Sequence, residues 1–168
     1  VNIDQLANRG MRFTDAHSSS AVCSPTRYGI LTGRYAWRTD LQRGVLWSYD
    51  KPLIAPERLT VAALLKQNGY HTACIGKWHL GLDWQKNAAG EFDFSKEVEG
   101  GPNTNGFDYS FIIPASLDLP PYVYVENKKV TATSFDTIAE TKGKGFWRRG
   151  VIGNDFVHEE VLEKVIDK

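Results

Sequence analysis

The stretch RLTVAALLKQNGYHTACIGKWHLG, residues 58–81, constrains the fold more than any other part of the chain. Its first half predicts an amphipathic helix with Thr60 as the N-cap. YHTACIG then predicts a strand, and KWHLG predicts the loop that follows this strand. A helix, a strand and a loop in this order are typical of an α/β sheet, whose sites lie beyond the carboxyl ends of its strands. The apolar face of the helix is predicted to consist of Val61, Leu64 and Leu65.

The flanking segments predict further elements of the same layered fold. Residues 2–9 predict a helix, and the alternation in residues 11–15 is typical of a strand. FDYSFII, residues 107–113, predicts a buried strand, and YVYVENKKV predicts a hairpin arm. Residues 83–106 have little periodicity and predict a long surface loop. A helix is predicted from Asp155 onward, with an inward face of Val157, Val161, Leu162 and Val165.

Composition narrows the class of protein. The chain has 168 residues, without an internal repeat or a linker, which predicts one domain. Lys plus Arg and Asp plus Glu each number 20, so net charge offers no reason to expect nucleic acid or an anionic membrane as a partner. No apolar run approaches the ~20 residues that a membrane-spanning helix needs.

Cys23 lies at the start of a second predicted helix. Ser24 and Pro25 predict an N-cap and first turn, so the helix is expected over residues 25–32. A helix N-terminus favours negative charge, and Arg27 lies one turn further on. From these residues alone, Cys23 could be a buried small residue, a thiol nucleophile, a metal ligand or the precursor of another group, at a helix start that suits an anion. The other cysteine, Cys74, is predicted to be a buried residue within the strand.

Two segments together resemble a known family. Cys23-Ser24-Pro25-Thr26-Arg27, continued by Leu31-Thr32-Gly33-Arg34, resembles the C-x-P-x-R-x-x-x-L-T-G-R signature of the type I, formylglycine-dependent sulfatases of the alkaline phosphatase superfamily. GYHTACIGKWHLG is similar to the second signature of that family. GFDYSFIIPASLD and DFVHEEVL resemble later blocks, so the resemblance extends from residue 1 to about residue 165.

The resemblance implies an α/β fold with a mixed sheet and helices on both faces. Residues 1–168 are then the central part of the N-terminal catalytic sulfatase domain, without a second domain. It also implies that a formylglycine-generating, sulfatase-maturating enzyme oxidises Cys23 to formylglycine. The hydrated aldehyde binds a divalent cation, usually Ca²⁺, attacks the sulfur of a sulfate ester and then expels sulfate.

Further site residues follow from the same resemblance. Arg27 is expected to hold the formylglycine oxygens, Lys77 to bridge them to sulfate, and His79 to take the proton that drives sulfate release. Ser116 and His158 are expected to bind sulfate, and His158 also to protonate the leaving alcohol. Lys77 could instead lie on Trp78, the histidines could be structural, and Ser116 could cap a turn. The expected set is catalytic Cys23, Arg27, Lys77, His79 and His158; substrate-binding Lys77, Ser116 and His158; metal-binding Cys23 as formylglycine.

The chain departs from the family pattern at the metal. The Asp-Asp pair that family members place on an early strand, and the later Asp-Asn or Asp-Gln pair, match no residues here. Asp83 and Asp118 lie near matched loops without a ligand motif. A fragment lacking both ends is therefore expected, with poor calcium binding and little activity of its own. The parent protein is expected to be periplasmic, secreted or lysosomal, although no signal is present in this chain.

The substrate and two rival functions remain open at this point. The expected substrate is a sulfated small molecule or glycan, with a carbohydrate or an aryl alcohol as the leaving group. The alternatives are a phosphonate or phosphate monoester hydrolase of the same superfamily, and a non-catalytic sulfatase-like protein; a thiol enzyme using unmodified Cys23 ranks lower. Trp37, Trp47, Trp84 and Trp147 could stack on a sugar, although packing in the core or a loop is expected for most of them. Lys142, Lys144, Arg148 and Arg149 could contact an anionic polymer, although a solvated loop is an equally good explanation.

Overall fold

The computed structural model describes residues 1–143 and 145–168. Four α-helices are assigned in that part of the chain: α1 (Asn2–Arg9), α2 (Cys23–Thr32), α3 (Val61–Gln67) and α4 (Val161–Ile166). The strands are β1 (Ala73–Lys77), β2 (Tyr109–Ile113), β3 (Val125–Glu126), β4 (Lys129–Val130), β5 (Phe135–Ile138) and β6 (Gly150–Gly153). Single 3-10 turns occur at Ala36–Arg38, Pro102–Asn105 and His158–Glu160.

The main sheet is mixed and has the strand order β1-β2-β3-β4. Strands β1 and β2 are parallel, with Ala73 paired to Tyr109 and Lys77 to Ile113, whereas β3 and β4 add antiparallel partners. Because β1 and β2 run in the same direction, both end at one edge of the sheet. This edge is where the residues that follow Lys77 and Ile113 come together.

Alternating side chains of the sheet build two separate cores. Ile112 and Val123 point into a core that contains Tyr28 of α2. Their neighbours Phe111 and Tyr122 point to the opposite face, where Val161 of α4 packs. Helices therefore cover both faces of a mixed sheet, which confirms the predicted α/β class.

Strands β5 and β6 form a separate antiparallel pair that the sequence did not predict. The pair is joined to the segment before β3, because the Tyr122 amide donates to the Val151 carbonyl at 2.8 Å. The Gly153 amide returns a bond to the Tyr122 carbonyl at 2.9 Å. These contacts hold residues 145–153 close to the carboxyl edge of the main sheet.

Several local predictions differ from the structure. The predicted strand at residues 11–15 is wrong, because this segment pairs with no strand among the described residues. Helix α4 begins at Val161 rather than Asp155, after a 3-10 turn; Val161 is buried but Leu162 is exposed. The irregular segment 83–106 is confirmed as a long loop, although two of its side chains, Trp84 and Val98, lie in the core.

Helix α3 shows why its cap was predictable and its buried face was not. The Thr60 hydroxyl accepts the Ala63 amide at 3.0 Å, which confirms the N-cap. The predicted apolar face is wrong, because Val61, Leu64 and Leu65 stay exposed and Ala62 is the buried residue. A close approach decides this orientation: a Cβ at Gly106 would lie 2.3 Å from the Ala63 nitrogen.

Within residues 1–143 and 145–168, none of the helices combines the length and the apolar character required to cross a membrane.

Candidate active site

Cys23 is the first residue of helix α2, and Val22 is the N-cap. The prediction of Ser24 as the cap is wrong, because the Ser24 hydroxyl is fully buried and accepts the Leu46 amide at 3.2 Å. This hydrogen bond connects the start of α2 to Leu46, which lies 22 residues further along the chain. The half-buried Cys23 side chain stands where unpaired helix N–H groups favour negative charge.

Two cations converge on this helix start. The Lys77 Nζ, at the end of β1, donates to Cys23 Sγ at 3.1 Å. Arg27, one turn into α2, donates from Nη1 to the Lys77 carbonyl at 2.5 Å. Cys23, Arg27 and Lys77 are called the anion niche below. A helix N-terminus with a lysine and an arginine beside it suits the negatively charged oxygens of a tetrahedral oxyanion.

His79 lies two residues beyond Lys77 in an unusual backbone conformation. Its φ is +55°, in the left-handed region, and its side chain is almost fully buried. Its amide donates to the Pro114 carbonyl at 3.0 Å, which ties the loop after β1 to the loop after β2. Non-glycine residues held in this region cost on the order of 1–3 kcal/mol and cluster at functional sites.

The hydrogen bonds of His79 fix where its proton resides. Nε2 lies 2.8 Å from the Leu46 carbonyl oxygen, which can only accept, so we assign the proton to Nε2. Nδ1 is buried and has no partner among the described residues, so its lone pair is available as a base. Burial lowers the pKa of His79 below its ordinary value, and the charges of Lys77 and Arg27 lower it further. The ring is therefore neutral near pH 7.

Ser116 and Asp118 lie in the loop after β2. The Ser116 hydroxyl donates to Asp118 Oδ1 at 2.5 Å, and Arg148 forms an ion pair with Asp118 Oδ2. Partial burial raises the pKa of Asp118, but the hydrogen bonds from Ser116 and Arg148 outweigh burial and lower it. Asp118 also lies close enough to His79 for its charge to act on the His79 pKa. The Ser116 proton is thus engaged, which leaves its sulfate-binding role a prediction.

His158 lies in a cage of aromatic rings next to this loop. Its ring stacks on Trp147 at a centroid distance of 4.3 Å and lies 4.7 Å from the ring of Tyr122. Burial lowers the pKa of His158, against the opposing effects of Glu159 and the Leu117 backbone. Its Nε2 is buried without a partner in the described part of the chain. No hydrogen bond between described residues joins Ser116 or His158 to the niche, so their roles also remain predictions.

Metal-ligating side chains do not assemble in the described residues. No group of three or more His, Cys, Asp or Glu residues there could hold a metal ion. The nearest charged partner of Cys23 is the Lys77 ammonium, which repels a cation. The residues present therefore do not fit a complete calcium site. They do fit formylglycine, because an oxygen attached to the Cβ of residue 23 would accept the Lys77 hydrogen bond as Sγ does.

Sequence reasoning missed Leu46 and did not predict that Asp118 and Arg148 pair with each other in this region. Leu46 acts through its backbone, so no side-chain pattern could have revealed it. Asp118 follows Ser116 in the PASLD stretch, and its position in a matched loop was its only signal. Arg148 belongs to the basic segment and pairs with Asp118 across 30 residues. Lys144, which was grouped with Arg148, lies outside the described residues.

Comparison with known proteins agrees with the two signatures. The family model described as Sulfatase matches residues 1–146. The chain is 41% identical over 129 residues to an N-acetylgalactosamine-6-O-sulfatase of Bacteroides thetaiotaomicron, covering 77% of this chain and 24% of that protein. It is 40% identical over 119 residues to arylsulfatase G of Mus musculus, covering 71% of this chain and 20% of that protein.

Solved structures show the same relationship. A 6S-sulfatase structure from work on glycosaminoglycan metabolism by Bacteroides thetaiotaomicron matches with a TM-score of 0.79 and 30% identity, over 98% of this chain and 40% of that chain. Ps i-CgsB in complex with k-i-k-neocarrahexaose matches with a TM-score of 0.52 and 27% identity, over 68% and 22%. The chain thus spans about a quarter of the first of the curated relatives. The matched region contains Cys23, Arg27, Lys77 and His79, and on this evidence the chain belongs to the sulfatase family.

Proposed function

We propose that the protein hydrolyses a sulfate ester to an alcohol and inorganic sulfate at the anion niche. The observation that carries this proposal is the hydrogen bond between Lys77 Nζ and Cys23 Sγ. It joins the two signature segments, 54 residues apart in the chain, at a single helix N-terminus. Two cations and unpaired N–H groups at one point supply the electrostatic stabilisation that sulfuryl transfer needs.

Each residue of the niche has a distinct task. Cys23, once oxidised to formylglycine, supplies the hydrate oxygen that sulfatases use as the nucleophile. Lys77 donates from Nζ to the group at position 23 and neutralises charge that develops on the sulfate oxygens. Arg27 donates to the Lys77 carbonyl and so positions the end of β1, while its positive charge adds to the field at the niche.

His79 is the general base in this proposal. Its Nδ1 carries a lone pair without a partner among the described residues, and its lowered pKa keeps the ring neutral. A proton taken at Nδ1 would be stabilised by the nearby Asp118 carboxylate. Ser116 and His158 complete the proposed set, as a sulfate contact and as the acid for the leaving alcohol.

The proposed substrate is a carbohydrate sulfate. One relative carries the name N-acetylgalactosamine-6-O-sulfatase, and one structural relative was crystallised with a neocarrahexaose, which supports a sugar as the alcohol. Relatives named arylsulfatase keep an aryl alcohol as the second candidate. A phosphate monoester offers a similar tetrahedral oxyanion, so the niche alone does not discriminate between the two ester classes.

The proposal concerns a longer protein, because this chain matches only about a quarter of the length of its first curated relative. We propose that residues 1–168 are the central part of a catalytic domain in a periplasmic, secreted or lysosomal protein. A maturating enzyme modifies Cys23, and ligands outside this chain complete a calcium site. No catalytic step is assigned to calcium here, since the described residues do not hold it. The 168-residue chain alone is expected to bind calcium poorly and to have little turnover.

The test is mass spectrometry of the Cys23 peptide from the full-length protein expressed with a sulfatase-maturating enzyme. We expect an aldehyde at Cys23 and release of sulfate from an aryl sulfate faster than release of phosphate from the matched aryl phosphate. Cys23→Ala should abolish turnover, while Cys74→Ala, at the half-buried cysteine in β1, should retain it. A persistent free thiol at Cys23, or preference for the phosphate, would contradict the proposal.

A further inference from the structure

An aromatic ring and an ion pair form an exposed surface beside the niche. The Trp47 side chain is 59% exposed, and the Arg148 guanidinium carbon lies 5.4 Å from the centre of its ring. The same guanidinium pairs with the Asp118 carboxylate. Trp47, Asp118 and Arg148 are called the platform below. Because the Trp47 ring buries little of its apolar area, much of its surface is available for contact with a ligand.

The platform is held in place from several directions. The Arg148 carbonyl accepts the Tyr122 hydroxyl at 2.9 Å, and the Arg148 Nη1 also donates to the Asp118 carbonyl at 3.1 Å. The Trp47 amide donates to Asp50 Oδ2 at 2.6 Å, which fixes the turn that presents the ring. Side chains that are ordered before a ligand arrives lose little entropy on binding it.

The platform and the niche share one wall, formed by Leu46. The Leu46 amide bonds to Ser24, the neighbour of Cys23, and the Leu46 carbonyl bonds to His79. Trp47 is the next residue along the chain. On the other side, Asp118 acts on His79 through its charge. Trp47 and Asp118 thus flank the part of the chain that holds Ser24 and His79, which places the platform next to the niche.

The platform also has unused hydrogen-bonding capacity. All hydrogen bonds of the Arg148 guanidinium to described residues come from Nη1, which leaves Nε and Nη2 without a protein acceptor in residues 1–143 and 145–168. Asp118 is ionised and accepts from Ser116 and Arg148 with room for further donors, since a carboxylate has about four lone-pair sites. A donor fork and an acceptor beside an aromatic face match the hydroxyls and C–H face of a sugar ring.

We propose that Trp47, Asp118 and Arg148 form a sugar-binding subsite that selects carbohydrate sulfates over sulfate esters without ring hydroxyls. The inference rests on the proposed sulfatase function and names the part of the substrate next to the sulfate. The pyranose ring lies against the Trp47 indole, while Arg148 donates to one hydroxyl and Asp118 accepts from its neighbour. Trp47 and Arg148 determine specificity and take no part in breaking the sulfur–oxygen bond. Asp118 contributes to the subsite and also acts on the His79 base through its charge.

The other tryptophans do not offer such a surface. Trp78 and Trp84 are buried in the core, and Trp147 stacks on His158. Trp37 is 55% exposed and carries Arg38 over its ring at 5.1 Å, but its ring stacks on Tyr35, whereas Trp47 lies against Arg148. Trp37 is therefore a matched control for Trp47, with similar exposure and a similar cation.

The decisive variant is Arg148→Gln in the full-length, matured protein. kcat/KM would be measured on 4-nitrophenyl sulfate and on a 6-O-sulfated N-acetylhexosamine. We expect the ratio of sugar sulfate to aryl sulfate to fall about tenfold, the scale of one lost charge-assisted hydrogen bond. Arg149→Gln, at the exposed neighbouring arginine, should leave the ratio as in the wild type. An equal loss on both substrates would overturn the subsite.

Trp47→Ala gives an independent readout, because an exposed ring can be removed without disturbing the core. We expect KM for the sugar sulfate to rise about tenfold with kcat changed less than twofold, as for a lost stacking contact. Trp37→Ala should leave both constants as they were. An unchanged KM in Trp47→Ala overturns the subsite while leaving the sulfatase proposal intact. If the wild type releases sulfate from neither substrate, the proposed function fails first, and the subsite with it.

Discussion

At the scale of single residues, His79 is the most constrained side chain of the candidate site. Its backbone is left-handed, its amide is bound to Pro114, and its Nε2 is bound to Leu46. These contacts allow one orientation and one tautomer, which leaves Nδ1 as the basic atom. Several contacts of this kind are needed to hold a residue in an unfavourable backbone conformation.

His79→Gln is expected to lower kcat of the matured protein by roughly 10²–10⁴-fold, the usual contribution of a positioned acid or base. Glutamine can preserve the hydrogen bond to the Leu46 carbonyl but has no basic lone pair at the Nδ1 position. The measurement is the steady-state rate on an aryl sulfate. His71→Gln, at an exposed histidine before β1, serves as the control and should act like the wild type. A His79→Gln enzyme with full kcat would exclude His79 as the base.

At the scale of elements, the sheet explains why residues distant in sequence meet. The parallel pair β1–β2 delivers Lys77 and the 116–118 loop to one edge, and α2 brings Cys23 to the same place. The loop after β1 is held by Leu80, whose carbonyl accepts the Leu53 amide at 2.9 Å. Gly81 follows, with φ of +80°. A Cβ there would lie 2.1 Å from the Lys51 carbonyl oxygen.

Gly81→Ala should therefore destabilise the fold by more than about 2 kcal/mol, since it adds a backbone clash to the roughly 1–2 kcal/mol of left-handed strain. Gly90→Ala is the matched control, because Gly90 has φ of +82° but no atom within 4 Å of the added Cβ. It should show the conformational cost alone. Urea unfolding of both variants compares the two directly. Equal losses of unfolding free energy would mean that the Lys51 contact does not limit this position.

The helices and strands also show which parts of the fold can be predicted from the sequence. Strands β1 and β2 and the Thr60 cap were predictable, because apolar runs and a capping hydroxyl are local signals. The start of α2 was predicted two residues late, since Ser24 is engaged by Leu46 from another part of the chain. Strands β5 and β6 carry little apolar pattern and form through pairing between residues 12 to 18 apart, which the local pattern of either segment does not show. The residues of the anion niche were predicted from the two signatures, whereas the contacts between them are visible only in the structure.

At the scale of the whole molecule, buried histidines connect the site to stability. His79 and His158 both contact the segment that follows β2, and burial lowers the pKa of both. An unfolded histidine takes up its proton near pH 6.5, above the pH at which these two do so in the fold. The unfolded state thus binds more protons in mildly acidic solution, so stability is full above about pH 6.5 and is lost as pH falls through the folded values.

The free energy of unfolding is accordingly expected to decrease as the pH falls below about 6.5. Carboxylates with lowered pKa values, such as Asp108 at about 2, lose their contribution only at lower pH. This separates the histidine window from the carboxylate window. Urea titrations across the range provide the measurement. The double variant His79→Gln/His158→Gln should have a flatter profile than the wild type, and identical slopes for the two proteins would assign the acid sensitivity to other groups.

Leu46 contributes to the candidate site through its backbone, and this limits which experiments can detect its role. It holds Ser24 with its amide and His79 with its carbonyl, so both contacts persist whichever side chain stands at position 46. An alanine scan would detect only the loss of a buried leucine and would miss the hydrogen bonds entirely. A comparison of aligned sequences would likewise register position 46 as merely apolar. Side-chain substitution therefore does not report on the group that sets the tautomer of the base. Replacement of a backbone amide at Leu46 by an ester would test its hydrogen bonds directly.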